Sequence, residues 1–276
     1  MIVDASVHVW SAIPARYPWS PLDGVEIPQD DRSAERLLAD LDAAGIDAAI
    51  AVQPRVYGHD HAYLSDVLRD HAARIAGIAL VDPDDPRAPA AVSELARSSF
   101  TGIRLIGLAG TRDALAASYT DPVLAQAGEL GMPVSLLVDP PRFAAASGLA
   151  MRHPDTILII DHLGLCDAAT AEPVLAELLA LAAFPNVLLR LSALPGLSST
   201  GYPFSDLLPL IRAVYQAFGG ERLLWGTDYP HALVSGPYRQ SLDAVRAMDF
   251  ISARDLPAIL GGTAARLFRL NKDNSK

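Results

Sequence analysis

The chain has 276 residues, of which 51% are hydrophobic and 20% charged, and a formal net charge of −10. This composition supports a large buried core and excludes a disordered chain. A strongly acidic chain gains nothing from counterion release on a polyanion, so no nucleic-acid partner is expected, although a local basic pocket for a small anion stays open.

The N-terminus has no basic stretch, and Asp4 and His8 interrupt its apolar run, so it does not read as a signal peptide. "MIVDASVHV" reads as a first strand, and strict alternation places Asp4, Ser6 and His8 on one side. The longest loop follows, from Ser11 to Asp31, with Tyr17 and Trp19 among its prolines. "SAERLLADLDAAG" predicts a helix capped by Ser33 and stopped by Gly45. "DAAIAVQP" is strand two, followed by Arg55, Tyr57 and the "HDH" of His59 to His61. "HAYLSDVLRDHAARI" is helical, "IAGIALVDP" is strand three with Asp82 at its end, and "TGIRLIG" is strand four with Arg104. "DPVLAQAGELG" is helical, and "MPVSLLVDP" is strand five with Leu137 near its end. "TILIIDHLG" is strand six, ending in Asp161 and His162, and "EPVLAELLALAAF" is the next helix. "NVLLRLSA" is strand seven with Arg190 and Ser192. "FSDLLPLIRAVYQAFG" is helical, and "RLLWGTDYPH" is strand eight with Asp228 and His231. "SARDLPAILGGTAARLFRL" supplies closing helices.

Nearly continuous apolar strands alternating with amphipathic helices predict buried parallel strands. Eight such units predict a single (β/α)8 TIM-type barrel over residues 1–270, with 271–276 a polar, frayed tail. A doubly wound open sheet would need a Gly-rich nucleotide turn after strand one, and "VHVWSAIPAR" is not one. No apolar run reaches the roughly 18 residues of a membrane span. The single cysteine, Cys166, excludes an internal disulfide and suits a reducing compartment, so the chain reads as cytoplasmic.

In such a barrel the active site lies at the C-terminal ends of the strands. Polar residues there are either satisfied or used, because burying them otherwise costs free energy. The candidates are His8, His162 and Asp228, with Ser6, Arg55, Tyr57, Arg104, Arg190, Ser192 and His231 around them. A buried Arg104 needs an anion, supplied by the protein or by a substrate. Salt bridging is the competing reading for Arg55 and Arg190, and packing for Tyr57. "HDH" lacks strand context, His71 and His153 sit at helix ends, and Cys166 reads as a packed small residue. There is no Gly-x-Ser-x-Gly elbow and no P-loop, so serine-esterase and phosphoryl-transfer chemistry find no support.

The segments "VDASVHVW", "VQPRVYGHDHAYL", "GIRL", "IDHLG", "LLWGTDYPH" and "ILGGTAARLF" resemble the amidohydrolase superfamily. They resemble most closely its branch of sugar-acid lactonases and 2-pyrone-4,6-dicarboxylate lactonase, over Ile2 to Leu270. The resemblance implies a His-x-His pair on strand one, histidines on strands five and six, and an aspartate on strand eight. This chain keeps His8, His162 and Asp228 but has Ser6 and Leu137 in the other two places, and Thr263 where the branch often has asparagine.

The implied function is hydrolysis of a small lactone, of a sugar acid or bearing a carboxylate, by water activated at Asp228. His8 and His162 would hold the water or polarise the carbonyl, and Arg104, Arg55 or Arg190 would bind a substrate anion. The dicarboxylate lactonase type is metal-independent, so no cofactor is expected. The alternative is one weakly bound divalent cation such as zinc on His8, His162 and Asp228. A metal-dependent hydrolase or aromatic-acid decarboxylase, and a decayed barrel that only binds ligand, are the competing functions. The partner is a small anionic or polyhydroxylated molecule, and a homo-oligomer is compatible with the sequence.

Overall fold

A computed structural model describes residues 1–11, 13–109, 113–169 and 171–270. Eight parallel strands form one sheet in sequential order: β1 Val3–Val7, β2 Ala48–Val52, β3 Ile75–Leu80, β4 Phe100–Gly107, β5 Val134–Val138, β6 Leu158–Ile160, β7 Val187–Leu191 and β8 Leu223–Trp225. Helices α1 Ala34–Ala44, α2 Ala62–Asp70, α3 Ala88–Arg97, α4 Thr120–Glu129, α5 Phe143–Arg152, α6 Ala171–Ala180, α7 Leu194–Leu197, α8 Leu208–Phe218, α9 Arg239–Arg246 and α10 Thr263–Leu267 complete the (β/α)8 barrel. The expected tail lies outside the described residues.

Local chemistry sets the helix ends where the sequence predicted them. Ser33 accepts from the Arg36 amide at the start of α1, and Gly45 ends it in the left-handed region at φ 70°. The barrel interior is apolar at its lower end, with Val3, Ala5, Ile50, Ile78, Ile159, Leu188 and Leu224 packed on Phe268 and Leu270 from the chain's end. The other strand faces, such as Ala51, Leu105, Leu136 and Leu189, pack outward against the helices.

Strict alternation fails on β1, and the failure builds the site. The β1–β2 register shifts between Asp4 and Val7. Val3 and Ala5 face the interior, so Asp4 does not; its carboxylate accepts from the Ser6 amide, the Thr227 amide and hydroxyl, and the Tyr238 hydroxyl. The expectation that Asp4 joins Ser6 and His8 on one face is corrected by this bulge. Asp4 instead ties the ends of β1 and β8 together. Gly226 permits the approach, since a Cβ there would come within 2.9 Å of the Ser6 amide nitrogen.

The barrel closes at the same place. The Asp228 amide donates to the Ser6 carbonyl at 2.8 Å, and the His8 amide donates to the Tyr229 carbonyl at 2.7 Å. The long loop after β1 is held down by Trp19 stacked on Tyr57 at 4.8 Å, by Trp10 Nε1 donating to the Asp30 carbonyl, and by the Tyr17 hydroxyl on Asp66.

Replacing Asp4 by alanine strands four donors in a buried place. Asp4→Ala is expected to lower unfolding stability by about 3 kcal/mol, read by urea denaturation, since each unmet buried partner costs about 1–3 kcal/mol.

Candidate active site

Three side chains converge above the apolar floor. His8 leaves the end of β1, His162 follows β6, and Asp228 follows β8. His8 Nε2 lies 3.3 Å from Asp228 Oδ1, and His162 Nε2 lies 3.7 Å from the same oxygen. Asp228 has a φ of 68° and His162 a φ of 51°, so both sit in the sparsely populated left-handed region. Such backbone persists only where surrounding contacts hold it, and it is concentrated at functional sites. At Asp228 the barrel-closing hydrogen bond to Ser6 is one such contact.

The hydrogen bonds assign the ring protons. His8 Nδ1 is 2.8 Å from the Val52 carbonyl, which can only accept. Nδ1 therefore carries a proton, and Nε2 carries a second one only when the ring is cationic. His162 Nε2 lies 3.4 Å from Arg104 Nη2, which can only donate, so Nε2 presents its lone pair. Its Nδ1–H then donates to Ser192 Oγ at 2.8 Å.

Beneath His162 is an ionic hub. Asp161 accepts from Arg104 Nε at 2.9 Å through one oxygen and from Arg190 Nη1 through the other. Arg190 also donates to Ser135 Oγ at 3.1 Å. Asp161 and Arg190 are fully buried, and Arg104 nearly so. Burial alone would raise the Asp161 pKa, but Arg190 and Arg104 reverse that and hold it below the usual carboxylate range. Burial pushes His162 below 6.5 despite the attraction of Asp228, so its imidazole is neutral. Burial also opposes ionisation of Asp228, yet His162 and His8 outweigh it and hold the carboxyl far below its usual range.

The nearest set of donors is His8 Nε2, His162 Nε2 and Asp228, but the His162 lone pair is turned to Arg104. Three is the smallest protein set for a catalytic zinc. The two places that would enrich the set hold Ser6, a buried hydroxyl with no partner, and Leu137, which is buried and offers no donor. Among the described residues no cluster of three or more His, Cys, Asp or Glu is disposed to hold a metal ion.

The amidohydrolase family model matches residues 3–270. The chain belongs to the amidohydrolase family. Among curated family relatives, the L-fucono-1,5-lactonase of Burkholderia ambifaria is 29% identical, over 98% of this chain and 96% of that protein. The 4-sulfomuconolactone hydrolase of Rhizobium radiobacter is 26% identical, over 87% of this chain and 79% of that one. A crystal structure of an amidohydrolase from Burkholderia multivorans with bound zinc superposes with a TM-score of 0.82 at 28% identity, over 98% of this chain and all of that one.

Against this amidohydrolase frame the remaining candidates fall into distinct places. Arg190 lies in the hub, fully buried, so the anion it needs is Asp161 and not a substrate. Arg104 shares that anion while its Nη2 reaches His162. Ser192 is fully buried and orients His162. Tyr57 is buried, and its hydroxyl bonds both the amide and the carbonyl of Ser11. His231 is exposed at the mouth, its ring 5.8 Å from that of His8. Arg55 is half-buried at the start of the turn after β2.

The bland readings hold elsewhere. His61 opens α2 and accepts from the Leu80 amide, and burial drives its pKa to about 4. His71 and His153 end α2 and α5. Cys166 is buried and its thiol is pushed up to about 11, which makes it a poor nucleophile.

The hub was missed by sequence reasoning. Strict alternation along β6 would turn only one of Asp161 and His162 inward. The left-handed turn at His162 lets both serve the interior. The signal was present, since two buried arginines, on β4 and β7, demand an anion.

Asp161→Asn would leave Arg104 and Arg190 short of one negative charge. Equilibrium unfolding should show a loss of about 3–5 kcal/mol, the range for breaking a buried pair from one side.

Proposed function

We propose that the protein hydrolyses a small cyclic ester, a lactone of a sugar acid or of a carboxylate-bearing acid, by water activated at Asp228 and without a tightly held metal. The observation that carries this reading is the convergence of His8, His162 and an ionised Asp228 on one oxygen at the open end of the barrel. Lactone hydrolysis is also what the named activities of the L-fuconolactone and sulfomuconolactone relatives have in common.

The chemistry follows from the donors and acceptors. A water beside Asp228 gives up a proton to the carboxylate as its oxygen attacks the lactone carbonyl. The tetrahedral intermediate collapses, the ring C–O bond breaks, and the proton passes to the departing ring oxygen, leaving an open hydroxy acid. His8 Nε2, when protonated, can donate to the carbonyl oxygen, while His162 Nε2 is engaged by Arg104. A carboxylate held far below its usual range is ionised throughout the working pH range. Its reach to the water supplies what its low basicity lacks. Ser6 Oγ, buried and unpaired, offers a further hydrogen bond to an ordered water.

A second reading rests on the solved amidohydrolase with bound zinc that is 28% identical to this chain. His8, His162 and Asp228 would be the donors here, once the His162 lone pair left Arg104. A divalent ion bound there would polarise the ester carbonyl. The proposal places the enzyme in the cytoplasm with a small molecule as its partner. Among the described residues no helix is long and apolar enough to cross a membrane.

Asp228→Asn should keep the fold and lower kcat on an accepted lactone by about 10²–10⁴-fold, the range for losing a general base. Near wild-type turnover would overturn the assignment. In the wild type, the acid limb of kcat/KM should lie below pH 6.5, where His162 gains its proton as pH falls. Asp228 titrates lower still and adds no limb above it.

The metal question has its own measurement. Protein purified without added metal should contain far less than one zinc per chain and keep its activity after chelation. Stoichiometric zinc, with activity lost to chelator and restored by zinc, would replace the first reading by the second.

A further inference from the structure

Among the described residues Arg55 is a cation without a counterpart. Its backbone is fixed: its carbonyl accepts from the amides of Leu22 and Gly58. Its guanidinium makes no hydrogen bond or ion pair among the described residues, and its Nε is enclosed. By contrast Arg104 and Arg190 are both spent on Asp161. The charged group that acts on Arg55 is Arg104, a like charge, and burial and that charge both push its pKa down. A half-buried guanidinium in such surroundings is stabilised by an incoming anion.

Arg55 also lines a cavity of about 700 Å³ at the mouth of β2, β3 and β4, walled by Leu22, Leu80, Val81 and Ile106. That is the size of a small-ligand pocket with apolar walls and few polar groups. Of the carboxylates on its border, Asp82 and Asp84 are engaged in other contacts and Asp23 is exposed. Arg55 stands three residues after Val52, whose carbonyl accepts from His8 Nδ1, so the subsite lies at the same end of the barrel as the catalytic cluster.

We propose that Arg55 is the specificity-determining residue of the site and binds an anionic group, a carboxylate or sulfonate, carried by the lactone beside its reacting carbonyl. The proposal rests on the lactonase reading and narrows it to anionic lactones over uncharged sugar lactones. The planar fork of Arg55 suits two oxygens of one such group.

The test compares wild type, Arg55→Gln and Arg55→Lys on lactones of one ring size bearing a carboxylate, a sulfonate or only hydroxyls. Wild type should prefer a charged lactone, and the carboxylate and sulfonate arms show which anion is read. In Arg55→Gln the ratio of kcat/KM for the charged lactone to that for the uncharged one should fall ~10–100-fold, carried by KM, the scale of one charge-assisted hydrogen bond pair. Arg55→Lys keeps the charge and should retain part of the preference, which a merely structural role would not restore. A wild type that prefers the uncharged lactone, or a ratio that Arg55→Gln leaves unchanged, would overturn this proposal and leave lactone hydrolysis standing. A wild type inert on every lactone would overturn the lactonase reading, and this one with it.

Discussion

The pairing of Asp161 with Arg104 and Arg190 is the constraint on which the site depends. Two guanidiniums inside an apolar barrel are costly, and one carboxylate neutralises only one of them. Asp4 and Asp228 add further negative field at Arg190. The deeply placed Asp228 still ionises readily because the histidines that face it outweigh the cost of burial, while burial lowers the His162 pKa beside it. The same Arg104 that binds Asp161 directs its Nη2 at His162, which selects the ring tautomer. The orientation of the His162 ring is therefore set by the charged hub.

A second frame holds the other half of the site. Asp4 gathers Ser6, Thr227 and Tyr238, and the hydrogen bonds between β1 and the segment after β8 close the barrel. His8 and Asp228 are thus placed by one set of backbone contacts. The carbonyl of Val52 on the neighbouring strand then fixes the His8 ring. These backbone contacts hold Asp228 against His8 with a φ of 68°.

The architecture was legible in the sequence because it rests on local signals. Continuous apolar runs, the Ser33 and Gly45 helix stops, and the repetition of units all report nearest-neighbour physics. His8, His162 and Asp228 were legible because polar residues at strand ends of such a barrel stand out against apolar flanks. What escaped were the departures from regularity. The bulge after Asp4 and the left-handed turn at His162 are decided by contacts between residues far apart in the chain, so a strict period of two misplaced Asp4 and undercounted β6. Tyr57 and Arg190 looked like ligand contacts because sequence shows a polar group but not the partner that already satisfies it. The reverse held for Arg55, where the structure leaves the group without a protein partner among the described residues.

The central claim is that burial holds His162 neutral and Arg104 fixes its tautomer, with the proton on Nδ1 and the lone pair on Nε2. Nitrogen-15 NMR of the labelled His162 ring at pH 7 tests this most directly, since the shifts of the two nitrogens separate both tautomers and the imidazolium. The account predicts a neutral ring protonated at Nδ1, which turns cationic only below pH 6.5. A ring that is already an imidazolium at pH 7, or neutral with its proton on Nε2, would contradict it.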